Sequence, residues 1–309
     1  MDEFKYMEKI TNISPDWQKW ILDNLARGCT AQSLIDVMVE KNFDPMFASA
    51  IVFHFSTAHK GSGGPVAVAQ LGSQPAVSNV KDKIQGNGNT YTYEAPRFKS
   101  GNVIHTHDRV IQVMGRVEKP YIAVLDNVLS HEECDELVRL SQARLKRSTI
   151  VDPTTGKDAV IEERTSYGTF FHVNENEFIA RLDRRVAELM NWPVENGEGL
   201  QILNYKVGGE YKPHFDYFPE HDPGSKVHLA NGGQRVSTLV MYLNDVDEGG
   251  ATVFPELGMT VGPKKGAAVY FEYTNSKNQV DPLTLHGGLP VIQGEKWIAT
   301  KWMRQRRFG

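Results

Sequence analysis

The chain has 309 residues, enough for one sizeable core plus a smaller module, so two domains are expected. Hydrophobic residues make up 40% and charged residues 23%, ordinary globular values, and a net charge of -4 gives no basic footprint of the kind nucleic-acid binding needs. The two cysteines, Cys29 and Cys134, lie far apart without metal-ligand spacing, which argues against a disulfide framework or a zinc knuckle and reads as two buried free thiols. The start "MDEFKYMEKI" has no apolar run behind a basic segment, and no window approaches about eighteen consecutive apolar residues. Neither a signal peptide nor a membrane span is expected, and a cytoplasmic setting follows as the expectation.

Residues 1–60 read as a small helical module. Three short helices are expected between 14 and 58, opened at Ser14-Pro15, Thr30 and Asp44-Pro45, with proline at the first helical position of the outer two. Trp17, Trp20, Ile21 and Leu25 share a face of the first, which stops at Gly28. The pattern "NLARG...LIDVMVEKNFDPMFA" loosely resembles a ubiquitin-associated-type three-helix bundle, leaving two readings: a module for peptide or partner binding, or a structural cap. Residues 61–95 are rich in Gly, Ser, Asn and Gln and read as a flexible linker, whose span would be roughly 30 Å.

From residue 96 to 309 strand signals dominate. "SHEECDELVRLSQARL" offers Ser130 and Glu133 at capping-box spacing ahead of an amphipathic helix, and a second helix is expected over roughly 175–190. The segment 148–166, with Pro, Gly and several charges, reads as a mobile lid. After it come short β runs separated by Gly-rich turns: "GLQILNY", "STLVMYLND", "ATVFPE", "GAAVYFEY", "LTLHGG" and "KWIATKWMRQ". Many short strands with such turns imply a sandwich or barrel, mainly β with supporting helices.

The stretch "YKPHFDYF" sets His214 and Asp216 two residues apart. Alone it is a weak signal, because ten histidines produce such a triplet by chance roughly one time in two. On a strand, residues i and i+2 point to one face and could grip one ion. Most other histidines read as ordinary positions: His54 and His59 end the helical module, His105 and His107 lie near the linker, His131 and His172 read as solvated, and His221 and His228 sit in a polar loop. His286 differs, since "LTLHGGLPV" places it among apolar residues with its ring toward the interior. In "EKWIATKWM" Lys296, Ile298, Thr300 and Trp302 share one face, and Trp297, Ala299, Lys301 and Met303 the other. An inward Lys296 would need an anion from elsewhere, and a ligand carboxylate would meet that need. Two histidines and a carboxylate leave open positions of the kind non-haem Fe(II) oxygenases use; zinc could take the same ligands, and Lys296 favours iron.

The blocks "YKVGGEYKPHFDYF", "RVSTLVMYLNDVDEGGATVFPE", "VGPKKGAAVYF" and "HGGLPVIQGEKWIATKWMRQ", with "VLDNVLSHEECDELVRLSQ" and "RTSYGTFF" before them, resemble in order the signature blocks of the prolyl 4-hydroxylase family of Fe(II)- and 2-oxoglutarate-dependent dioxygenases. The resemblance covers about residues 118–309. It implies a double-stranded β-helix, or jelly roll; Fe(II), 2-oxoglutarate, O2 and ascorbate as cofactors; and His214, Asp216 and His286 as iron ligands, with Lys296 on the distal carboxylate of 2-oxoglutarate. It implies Tyr205, Thr238 and Thr300 in the cosubstrate pocket, Tyr211, Arg235 and Trp302 near the substrate proline, and Arg164, Ser166 and Glu198 in a peptide cleft. Arg304 departs from the histidine that some collagen-type members carry, which leaves peptide preference open. The implied reaction is hydroxylation of peptidyl proline at C4, coupled to decarboxylation of 2-oxoglutarate to succinate and CO2. Hydroxylation of a free amino acid or other small molecule, and a peptide-binding module whose metal is structural, are the rival readings; halogenation would need Asp216 replaced by a small residue.

Overall fold

The computed structural model describes residues 10, 13–27, 29–43, 47–49, 51, 52, 55 and 91–309, apart from 153, 156, 160, 162 and 163. The chain divides into two compact units, Met1–Lys83 and Ile84–Gly309. In the first, the helix Pro15–Ala26 opens on Ser14, whose hydroxyl accepts from the Trp17 N–H, and the helix Ala31–Glu40 opens on Thr30, which accepts from the Ser33 N–H. These side chains satisfy N–H groups that a helix start otherwise leaves open. Ile21, Leu34, Met38 and Phe43 form a buried cluster against which Trp17, Trp20 and Leu25 pack. The expected stop at Gly28, the start at Asp44-Pro45, His54, His59 and residues 61–90 of the linker lie outside the described residues. Cys29 is exposed, in the short connection between the two helices, and so corrects the reading of both thiols as buried; Cys134 is buried.

The second unit is built on a nine-stranded antiparallel sheet whose order, from one edge, is Val103–His105, Val110–Glu118, Tyr121–Asp126, Ala268–Glu272, Arg235–Tyr242, Lys296–Arg304, Leu200–Tyr205, Tyr167–Phe171 and Lys146–Arg147. A four-stranded antiparallel sheet, Met259–Val261, Thr252–Phe254, His286–Gly288 and Tyr211–His214, is the second layer. One core cluster joins the inner face of the large sheet (Leu203, Val240, Tyr242, Phe271, Ile298) to Phe254 and Val261 of the small one. The other face is covered by the helices His131–Ser141 and Glu177–Met190, with Leu137, Leu182, Val186 and Leu189 packed on Ile202, Leu239, Ala299 and Met303. This is the jelly-roll architecture with supporting helices. Ser130 and Glu133 form the expected reciprocal capping box.

Because the large sheet is covered on both faces, all nine residues of the strand Lys296–Arg304 are buried. Each face therefore carries a buried lysine. On the helix-covered face Lys301 Nζ meets Asp183 Oδ1 at 2.6 Å, both side chains being at most 2% exposed. Residues 91–95, the end of the expected linker, are held to the loop after residue 273: the Thr92 N–H donates to Gln279 Oε1 at 3.0 Å, and the Glu94 carboxylate accepts from the Ser276 hydroxyl at 2.5 Å. No helix among the described residues is long and apolar enough to cross a membrane.

Asp183→Ala would strand the Lys301 ammonium in the core, and the expected loss of unfolding free energy is about 3 to 5 kcal/mol. The paired change Asp183→Leu with Lys301→Met should recover most of it. Urea unfolding of the full chain and both variants checks this; equal stability of parent and Asp183→Ala would contradict it.

Candidate metal centre

The strand Tyr211–His214 ends at His214, so Asp216 lies just past it rather than within it. The chain stays extended enough for alternation to hold: Phe215 is 36% exposed, while Asp216 is 8% exposed. The strand His286–Gly288 pairs with it so that His286 stands opposite His214. It begins only at His286, because Asp281 caps a short 3-10 turn over Pro282–Thr284 that occupies what reads as strand in the sequence. Gly287 permits the approach, since a Cβ there would sit 2.9 Å from the Tyr211 carbonyl oxygen.

Ligand atoms of His214, Asp216 and His286 lie within 4.8 Å of one another, the one such group among the described residues. His214 Nε2 is 3.6 Å from Asp216 Oδ1, and His286 Nε2 is 3.5 Å from Asp216 Oδ2. Each imidazole has its Nδ1 against a backbone carbonyl, His214 with Lys212 at 2.8 Å and His286 with Thr284 at 2.9 Å. Nδ1–H then donates, and Nε2 is left as a lone-pair donor facing the carboxylate. Burial pushes the His286 imidazole down to about 4, so it stands neutral at pH 7, the form that ligates. Burial alone would raise the Asp216 carboxyl, but His286, His214 and Arg235 outweigh it and hold it well below the usual carboxylate range. Two imidazoles turned toward one ionised carboxylate, all on one side of a point, fit a divalent cation that keeps open positions opposite.

The Thr238 hydroxyl donates to Asp216 Oδ2 at 2.7 Å and lies 3.0 Å from the Tyr273 hydroxyl. Thr238, expected in the cosubstrate pocket, is fully buried behind Asp216 and orients it instead, because the inner face of its strand runs beneath the carboxylate. Tyr273 completes this relay and carried no signal in the sequence. The site opens into a cavity of about 690 Å³ whose lining includes Tyr205, Tyr211, Arg235, Lys296, Thr300 and Trp302. Lys296 is 3% exposed, has no ion-pair partner among the described residues, and sits over the rings of Tyr205 and Tyr242 at 5.5 and 5.9 Å. Burial pushes its ammonium down to about 8.

Residues 200–304 match the 2OG-Fe(II) oxygenase superfamily model. A probable prolyl 4-hydroxylase 10 of Arabidopsis thaliana is 38% identical over 229 residues, 68% of this chain and 77% of the relative. A prolyl 4-hydroxylase 1 of the same plant is 43% identical over 202 residues, 60% of this chain and 70% of the relative. The chain belongs to the prolyl 4-hydroxylase family. Of solved structures, a viral collagen prolyl hydroxylase from Paramecium Bursaria Chlorella virus-1, in its 2OG complex, is 31% identical and covers 59% of this chain and 95% of that one, with a TM-score of 0.47.

In this family member the polar residues expected around a peptide form two groups. Glu198 accepts from Arg235 Nε at 2.7 Å and Nη2 at 2.8 Å, and from Arg304 Nε at 2.6 Å. Burial would raise its carboxyl, but the two guanidinium groups hold it below the ordinary value. Arg235 Cζ also sits over the Trp302 ring, 3.9 Å from its centroid. Arg164 stands over Tyr211 at 4.8 Å, and Tyr211 in turn stacks on His214 with ring centroids 3.6 Å apart. Ser166, expected in the cleft, is fully buried, bonded to Ser148 at 2.9 Å, and does not reach the cavity. Unforeseen lining residues are Phe218 and His228, whose rings stack at 5.0 Å, so His228 is half-buried rather than a solvated loop residue.

Thr238→Val keeps the shape and removes the hydrogen bond to Asp216, so metal affinity should fall about 10- to 100-fold with the fold intact. A Mn(II) titration followed by electron paramagnetic resonance measures it; parent-like affinity would contradict the orienting role.

Proposed function

We propose that this chain hydroxylates proline residues of a peptide or protein at C4, in an Fe(II)- and 2-oxoglutarate-dependent reaction that yields succinate and CO2. The observation that carries the cofactor half of this reading is Lys296: a buried cation without a counter-ion among the described residues, in the same cavity as the three ligands. A hydrolytic site has no use for it, whereas a dicarboxylate anchored on the metal at one end would bring it an anion at the other. The substrate half is supported by the relatives, which carry the name prolyl 4-hydroxylase.

When bound, iron with 2-oxoglutarate and O2 supplies the oxidising chemistry, in which one oxygen atom enters proline and the other succinate. The chain's own residues position and seclude. His214, Asp216 and His286 hold the metal from one side, and Lys296, over the Tyr205 ring, takes the distal carboxylate, with Thr300 on the same cavity lining. Gly288 leaves that place open, since a Cβ there would lie 3.6 Å from Lys296 Nζ. Tyr211 and Trp302 offer aromatic walls to a pyrrolidine ring. Trp302 Nε1 is itself buried and has no hydrogen-bond partner among the described residues. Ascorbate, as the reductant that restores Fe(II), belongs to the same proposal.

Lys296→Ala should raise the 2-oxoglutarate requirement roughly 30- to several-thousand-fold, and Lys296→Arg less. Only the ammonium form binds the carboxylate, so 2-oxoglutarate affinity of the parent should be flat below pH about 8 and weaken as pH rises above it. Binding titrations against pH check both. Parent-like affinity in Lys296→Ala would overturn the anion argument.

Peptidyl proline should be a far better substrate than free L-proline, because contacts outside the metal pocket hold C4 near the oxidant, and free proline would bring an ammonium and a carboxylate into an aromatic site. Peptides deuterated at proline C4 and free proline, assayed together by mass spectrometry, should show in the peptide alone a net gain of about 15 Da, the oxygen atom adding about 16 Da and the loss of one C4 deuterium to solvent hydrogen removing about 1 Da. Efficient oxidation of free proline, or oxygen insertion with the C4 label retained, would refute this assignment.

A further inference from the structure

Arg164 is a second buried cation whose partners are all neutral. It is 6% exposed and donates to the Thr149 carbonyl at 2.8 Å, to Gln201 Oε1 at 3.1 Å and to Ser166 Oγ at 3.3 Å. Among the described residues no carboxylate pairs with it. Across the cavity, one carboxylate, Glu198, serves both Arg235 and Arg304, so that trio also keeps a positive charge. A divalent metal, Asp216, Lys296 and a doubly charged 2-oxoglutarate would sum to zero. The rest of the lining sets Arg164, Arg235 and Arg304 against Glu198 and Asp222. Among the described residues the excess is positive, and it falls on the part of the cavity left for the substrate.

A second observation points the same way. Beside the cavity lies an outer one of about 530 Å³, lined by Arg144, Lys146 and Arg147 and, among the described residues, by no acidic side chain. The two cavities share Thr149, Phe170 and Gln201. Thr149 and Gln201 are themselves hydrogen-bond partners of Arg164, which therefore stands at the junction. Arg144 is paired with Glu175 at 2.8 Å, and Arg147 donates to the Ser166 carbonyl at 2.9 Å. Lys146 is exposed, without an ion-pair partner among the described residues, on the edge strand of the large sheet.

Resting on the reading of this chain as a peptidyl-proline hydroxylase, we infer that its substrate carries glutamate or aspartate beside the target proline, with one carboxylate at Arg164 and a further one along the Arg144–Arg147 edge. Buried guanidinium groups with neutral partners gain most from an anion, and an exposed basic rim steers the same peptides toward the cleft.

The test uses the full chain and equal-length labelled peptides, each with one proline flanked by Glu, Gln or Lys. Binding is read by fluorescence anisotropy with Mn(II) and 2-oxoglutarate present, and hydroxylation separately with Fe(II). The Glu peptide should bind about tenfold or more tightly than the Gln peptide, with the Lys peptide weakest and the spread narrowing as salt rises. Lys146→Glu should shrink the Glu-to-Lys ratio at least about fivefold and Lys146→Arg should preserve it; Arg164→Gln should shrink it too, and Lys146 decides the matter if that variant does not fold. Three peptides bound alike, or a preference indifferent to Lys146→Glu, would overturn the inference. Equal hydroxylation of all three without binding preference defeats this inference alone, whereas preferential binding of the Glu peptide with no peptide hydroxylated defeats the hydroxylase reading and leaves the charge selectivity standing.

Discussion

The pairing of His286 with His214 across two antiparallel strands is the constraint on which the rest of the second unit turns. It brings two imidazoles to one face, each fixed through Nδ1 by a carbonyl two residues upstream, and both Nε2 atoms converge on a carboxylate just past the strand end. A slip of one residue would send His286 to the opposite face and leave Asp216 without its partner. Gly287, in near-contact with the Tyr211 carbonyl, the 3-10 turn capped by Asp281, and Tyr211 stacked on the His214 ring all act to hold that register.

The second organising idea is where charge is matched and where it is left open. The strand Lys296–Arg304 buries one lysine on each face. Lys301 finds Asp183 on the covering helix and becomes part of the scaffold; Lys296 lies over two tyrosine rings and meets no carboxylate among the described residues. The same division recurs among the arginines. Arg185 is neutralised by Asp108 and Glu133 in a purely structural network, while Arg164 faces the cavity with neutral partners. Both of these buried cations, without an anion among the described residues, lie on the lining of one cavity, and under the proposed function that is where a ligand's charge belongs.

Much of this was legible in the sequence because it rests on local periodicity. The capping box at Ser130 and Glu133, the two-residue alternation that sets Lys296 with Thr300 and Trp302, and the shared face of His214 and Asp216 are short-range patterns, and the ordered blocks around them carry the family resemblance over residues 118–309. What stayed hidden is contact between segments distant in the chain. Nothing near Lys301 announces Asp183, 118 residues earlier, and nothing near Asp216 announces Thr238 and Tyr273 as its relay. For that reason the sequence places Thr238 in the pocket while it lies behind it, and places Ser166 in the cleft while it is buried against Ser148. Residues 91–95 have linker composition, yet their hydrogen bonds go to the loop around Asn275 and Gln279, a pairing no local pattern encodes.

The account's central claim is that the three ligands and Lys296 grip the two ends of one dicarboxylate with a metal between them and the near end. Such an arrangement requires the metal and 2-oxoglutarate to strengthen each other's binding reciprocally, since each completes the other's site. Calorimetric titration of the full chain with 2-oxoglutarate, with and without Mn(II), tests this most directly. One ion and one 2-oxoglutarate per chain, each tightening the other by the same factor, is the predicted result; 2-oxoglutarate binding that is indifferent to Mn(II) would contradict it.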